Sequence, residues 1–102
     1  MKLFLDDVRK PPDDTWILCR TAAKFCRLAH HTIEGDVLSL DHDLGLDQPT
    51  GYEVMTSLEK DVALNGLWSI EGMPEIKFHS ANPVGVADME RALGSIHRLL
   101  KK

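Results

Sequence analysis

Four short apolar runs, each closed at once by polar and reactive residues, constrain this chain most. KLFL (2–5) runs into Asp6-Asp7, WIL (16–18) into Cys19-Arg20, VLSL (37–40) into Asp41-His42-Asp43, and EIKF (75–78) into His79-Ser80. Runs of three or four such residues are too short for a helix and read as buried strands. In an open parallel α/β sheet, ligands bind at the carboxyl ends of the strands. If the four runs are neighbouring parallel strands, one rim collects the carboxylates of Asp6, Asp7, Asp41 and Asp43. It also collects the imidazoles of His42 and His79, the Ser80 hydroxyl and the Arg20 guanidinium. Such a set suits a hard metal ion and a phosphate.

The segments between the runs predict helices and turns. KPPDD (10–14) is a turn, because paired prolines exclude helix and central strand. Thr15 to Arg20 is strand-like, and Thr21 is a good N-cap for a helix carrying Ala22, Phe25, Cys26 and Ala29 on one face. A second helix starts at Gly51, buries Met55, Leu58 and Val62, and stops at Asn65-Gly66. Asn82-Pro83 reads as a cap followed by a first-turn proline. Gly85 is expected to delay regular helix there. Val86, Met89, Leu93, Ile96 and Leu100 then form an amphipathic stripe. The predicted order is β-β-α-β-α-β-α, a single α/β domain over 1–102.

At 102 residues and 43% apolar composition, the chain can bury a core without disulfides. A net charge of -4 disfavours a surface for nonspecific duplex nucleic acid. No apolar run approaches the roughly 20 residues that cross a bilayer, so no membrane contact is expected. Cys19 and Cys26 do not make a disulfide framework, and the N-terminus turns acidic too early for a secretory signal. The expected location is the reducing cytoplasm.

Packing Asp6, Asp7, Asp41 and Asp43 together is electrostatically costly without a cation. Oxygen-rich sets of this kind hold Mg²⁺ or Mn²⁺, so a divalent metal ion is the expected cofactor. Plainer roles exist for the same residues. Acids after strands cap turns, Arg9 can pair with Asp6 or Asp7, Arg20 can pair with an exposed acid, and Ser80 and Asn82 can be helix caps. His30, His31 and His97 fall away from the rim. Trp16 and Trp68 are read as packing residues, although either ring can stack a base.

The skeleton LFLDD … SLDHDLG … FHSANP resembles the receiver domain of two-component signalling, over roughly residues 2–93. The resemblance makes Asp6 and Asp7 the acid pair, Asp41 the acceptor position and Ser80 the hydroxyl position. It implies a flavodoxin-like, three-layer sandwich with a mainly parallel sheet reduced to four strands. The usual first helix is replaced by VRKPPDDT, and no fifth strand with its lysine follows Ser80. Asp6-Asp7-Val8-Arg9-Lys10-Pro11-Pro12, Arg20-Thr21, Ser39 to Gly45, Gly51-Tyr52, His79-Ser80-Ala81-Asn82-Pro83-Val84-Gly85 and Met89 are similar to a divergent branch. That branch is the cyclic-phosphate-processing receiver-like domains.

The branch implies a phosphoesterase acting on a cyclic phosphate of a nucleotide, an RNA terminus or a nucleotide second messenger. His42 and His79 would move protons. Asp7 and Asp41 would hold the metal with Asp6 and Asp43 in support, while Arg9, Arg20, Ser80 and Asn82 would hold phosphate. Two rivals use the same residues. One is a module that sequesters a cyclic nucleotide without turnover, and the other is a degenerate receiver used for protein interaction. The edge beside the short second strand leaves room for a homodimer.

Overall fold

The four runs do form strands, and all four lie parallel. The computed structural model describes residues 1–102. Its elements are β1 (Lys2–Leu5), β2 (Ile17–Cys19), α1 (Ala22–Ala29), β3 (Val37–Leu40), α2 (Gly51–Asn65), β4 (Glu75–Phe78) and α3 (Pro83–Leu100). The sheet order is β2-β1-β3-β4. Every parallel pair needs a crossover, and the chain supplies α1 between β2 and β3 and α2 between β3 and β4.

Topology decides which face the helices cover. The β2-to-β3 and β3-to-β4 crossovers move in the same direction across the sheet. The strong preference for right-handed crossovers therefore puts α1 and α2 on one face. α1 packs on α2 and α2 on α3, so all three helices form one layer. The β1-to-β2 connection moves the other way, and a helix there would cover the opposite face. The prolines at 11 and 12 forbid that helix. The receiver-like sheet stands as expected, but its third layer is thin: no helix covers the second face, where Trp16 meets Phe4.

Register shows the same division. Parallel partners point to the same face, and side chains alternate along each strand. Leu3, Leu38 and Ile76 form one row, and Leu5, Cys19, Leu40 and Phe78 the next. These rows meet Phe25 and Ala29 of α1, Val54, Met55, Leu58 and Val62 of α2, and Met89, Ala92 and Ile96 of α3 in one core. Each fully buried Leu, Ile or Phe contributes on the order of 2 kcal/mol by leaving water. The rows facing away are Lys2-Val37-Glu75 and Phe4-Leu18-Ser39-Lys77.

Two boundaries depart from the sequence reading, whereas α2 begins at Gly51 as expected. β2 is shorter than Thr15 to Arg20, because the Thr15 amide and hydroxyl both bond the Asp13 carboxylate and hold that residue in a turn. α2 is capped by Thr50, whose hydroxyl accepts from the Glu53 amide at 3.1 Å, the spacing of a capping box. Gly85 does not delay α3, which begins at Pro83 with the Asn82 side chain accepting from the Gly85 amide at 3.0 Å.

Candidate active site

The rim is positioned by one extra ladder bond at the end of each of the three strand pairings. Asp6 donates its amide to Cys19 O (3.1 Å), Asp41 to Leu5 O (2.9 Å) and His79 to Leu40 O (3.0 Å). These bonds fix three side chains at adjacent strand ends. Asp6, Asp7 and Asp41 each present an oxygen, all within 4.8 Å of one another.

Asp6 is fully buried and saturated. Its Oδ1 accepts from the Val8 amide (2.9 Å) and the Arg9 amide (2.8 Å), a local turn that short acidic side chains favour. Its Oδ2 accepts from His79 Nε2 (3.1 Å) and Arg9 Nη1 (3.4 Å). Burial alone would raise its pKa. The Arg9 and Val8 amides and the His79 ring together outweigh burial and hold it below the usual carboxylate value.

His79 has both ring nitrogens engaged. Nδ1 lies 2.7 Å from Ser39 Oγ, Nε2 meets Asp6, and the ring stacks on Phe4 at 4.2 Å with 6° between planes. Burial pushes its pKa below the ordinary imidazole value, against the pull of Asp6 and Asp41. The sequence reading missed Ser39. Its signal was a lone hydroxyl in an aliphatic strand, two residues before Asp41 and therefore on the same face.

Arg9 reaches over the acids. Its Nη1 is 3.6 Å from Asp41 Oδ1 and donates to His79 O at 3.3 Å, besides its contact with Asp6. Arg20 does not pair with an acid. Its Nη1 donates to Arg9 O (2.9 Å) and Asp6 O (3.3 Å), bracing the loop that carries both. Asp41 Oδ1 accepts from the His42 amide at 2.8 Å.

Asp43 stands apart from the three clustered acids. Its side chain is 66% exposed and is drawn to His42 Nδ1 (3.0 Å) and Asn82 Nδ2 (3.3 Å). Those two contacts, His42 first, lower its pKa. The Asp43 side chain thus lies outside the cluster of Asp6, Asp7 and Asp41 and is turned toward His42 and Asn82. Asn82 caps α3 and bridges to Asp43, and the Ser80 hydroxyl accepts from the Asn82 amide at 3.1 Å.

Two glycines let this rim close. A Cβ on Gly51 would strike the Asp41 carbonyl and lie 2.7 Å from Met89 Sδ, and one on Gly85 would enter the His42 ring. The starts of α2 and α3 therefore press directly on the Asp41-His42 turn. Gly51 also donates its amide to His42 O at 2.8 Å.

The cleft that results has a volume of about 500 Å³. It is lined by Asp7, Val8, Arg9, Asp41, Asp43, Ser80, Ala81, Asn82 and Pro83. Neither imidazole lines it. His79 holds Asp6 from behind, and His42 holds Asp43 while its ring packs under Gly85. The donor set fits a hard divalent ion. With Asp6 saturated, Asp7 and the second oxygen of Asp41 carry no protein hydrogen bond, and Mg²⁺ commonly takes one or two carboxylates. Arg9 supplies one positive charge against three clustered acids, so a cation would relieve the remaining repulsion.

The family model described as the Cyclic-phosphate processing Receiver domain matches residues 1–95, and the chain belongs to that family. No curated protein and no solved structure is similar enough to count as a match.

Proposed function

From that membership, which implies cyclic-phosphate processing, we propose a metal-assisted phosphoesterase that opens a cyclic phosphate on a nucleotide or RNA end. The observation that supports it is the meeting of the Asp7 carboxylate and the free second oxygen of Asp41 with the Arg9 guanidinium in one cleft. A divalent ion held by Asp7 and Asp41 would polarise a phosphoryl oxygen or acidify a bound water. Arg9 grips a phosphate oxygen and offsets the charge that grows in the transition state. Asp43, ionised across the neutral range, accepts a hydrogen bond from the attacking water. Ser80 offers a hydroxyl to a second phosphate oxygen.

The imidazoles act through the carboxylates they hold. His79 fixes Asp6 and, through it, the turn that presents Asp7 and Arg9. His42 fixes Asp43. Arg20 holds the same turn through two backbone carbonyls.

The test is turnover of 2′,3′- and 3′,5′-cyclic mononucleotides, RNA ending in a cyclic phosphate, and cyclic oligonucleotides, each with Mg²⁺ or Mn²⁺. Asp7→Asn and Asp41→Asn are run beside the wild type. Metal-dependent cleavage that falls about 100-fold in both variants supports the reading. Absence of cleavage across the panel would sink it.

One observation favours the sequestering module as a second reading: neither imidazole lines the cleft, which leaves no imidazole there to protonate a leaving oxygen. Tight binding of one panel member without product would favour that reading.

A further inference from the structure

The sheet face without helices carries an arrangement that the rim chemistry does not use. We propose that this face binds the nucleotides preceding the cyclic phosphate, so that the ligand is a single-stranded RNA end rather than a free mononucleotide. The inference rests on the phosphate reading of the rim and adds the polymer to it.

Trp16 extends the outward-facing row that includes Leu18, and its ring meets Phe4 edge-on at 5.8 Å and 74°. Two ammonium groups converge on that ring: Lys2 Nζ at 5.0 Å from its centroid and Lys77 Nζ at 5.6 Å. Lys2 lies on β1 and Lys77 on β4, with β3 between them. Covering Phe4 explains the position of Trp16 but not this convergence. Two like charges over one ring repel each other, and cation–π attraction at a partly exposed site offsets little of that. A phosphate between them removes the repulsion, while a base gains a stacking surface on the indole. Aromatic rings with basic neighbours on an open sheet are a general way to hold single-stranded RNA.

The plate is continuous with the rim. Phe4, under Trp16, stacks on His79, and His79 bonds Asp6. Phe4 and Asp6 are two residues apart on one strand, about 7 Å at the usual rise. A neighbouring nucleotide spans that distance. The plate is basic through Lys2 and Lys77, and its acids are Glu75, at the far end of β4, and Asp13, in the loop facing Lys2. At the rim, Arg9 and Arg20 stand among Asp6, Asp7, Asp41 and Asp43, whose excess charge the divalent ion of the proposed reading would offset.

The test uses a Trp68→Phe background, which leaves Trp16 as the sole tryptophan of the original two. An RNA trinucleotide ending in a 2′,3′-cyclic phosphate and the matching cyclic mononucleotide are titrated while fluorescence and cleavage are followed. The expected result is quenching of Trp16 by the trinucleotide and binding roughly tenfold tighter than the mononucleotide. Lys77→Glu should remove that advantage and leave the mononucleotide unaffected. Trp16→Leu serves as the second variant, with its folding checked by circular dichroism. Equal binding of the two ligands without quenching, or an unchanged advantage in Lys77→Glu, would overturn the inference even if both ligands are cleaved. Quenching and tight binding without cleavage would keep the face and reject hydrolysis.

Discussion

Two histidine–carboxylate pairs sit at opposite ends of the molecule and behave oppositely. At the rim, His79 Nε2 meets Asp6 at 3.1 Å; at the base, His30 Nε2 meets Asp61 at 2.8 Å. The pKa of His79 is lowered and that of His30 raised. Burial is the first cause of the lowering at His79, and the Cys26 carbonyl the first cause of the raising at His30. His30 Nδ1 faces the Cys26 carbonyl at 2.6 Å, so both nitrogens meet acceptors and the charged ring satisfies both. His79 Nδ1 faces a hydroxyl, which can donate, so a neutral ring is fully bonded. The His79 side chain is 19% exposed and the His30 side chain 40%, so burial weighs more heavily on His79. A contact between the same two residue types therefore says little about charge until the remaining partners are counted.

Removing the acid from each pair should break the symmetry most strongly. Asp6→Ala leaves the largely buried His79 ring and the Val8 and Arg9 amides without their acceptor and should cost on the order of 3 kcal/mol in denaturant unfolding. Asp61→Ala should cost less than about 1 kcal/mol, as exposed pairs do. Similar losses for both would contradict the account of burial.

α3 offers the next contrast. Gly85→Ala drives a methyl into the His42 ring and should destabilise by about 1–3 kcal/mol. Gly94→Ala, further along the same helix, meets only the Arg98 guanidinium at 3.5 Å. It should stabilise by up to about 1 kcal/mol through helix propensity. Thermal melts of the two variants should therefore move in opposite directions.

Ser39→Ala removes the partner of His79 Nδ1 and should cost about 1 kcal/mol. It should also free the ring to change tautomer, which ¹⁵N shifts of the imidazole would detect.

The smallest effect is the dependence on pH. The His30 pKa is raised by the Cys26 carbonyl and by Asp61, against burial. Its pair therefore stabilises the fold fully below the ordinary imidazole value, and that contribution fades as pH rises through the raised value. Asp61→Ala should reduce this slope and leave the part due to the Cys26 carbonyl. In chelator-treated protein, NMR titration should find His30 above the ordinary value and His79 below it.

Strand positions were legible because short apolar runs stop abruptly at acids, and the rim acids followed from strand polarity. Family membership and the parallel four-stranded sheet match the expectation. What was not legible depended on partners distant in the chain. Nothing local to Ser39 marks a hydrogen bond to His79, and nothing local to Gly51 or Gly85 marks a helix start pressed on Asp41-His42. The orientation of His42 and His79 behind the carboxylates depends on ring contacts that sequence order does not encode. Trp16 was read as packing, and its place over Phe4 agrees, but the two lysines over its ring come from strands that are not neighbours.

The central place of β1 ties the assembly of the site to protein synthesis. Its partners arrive in sequence: Cys19 accepts the Asp6 amide, Val37 pairs with Lys2, and His79 finally clamps the Asp6 carboxylate. A nascent chain halted before residue 79 already holds Asp6, Asp7 and Asp41 but nothing to lock the first of them. The clustered acids and the completed sheet therefore mature in one late step, and a ribosome-bound fragment would carry the acids without the site.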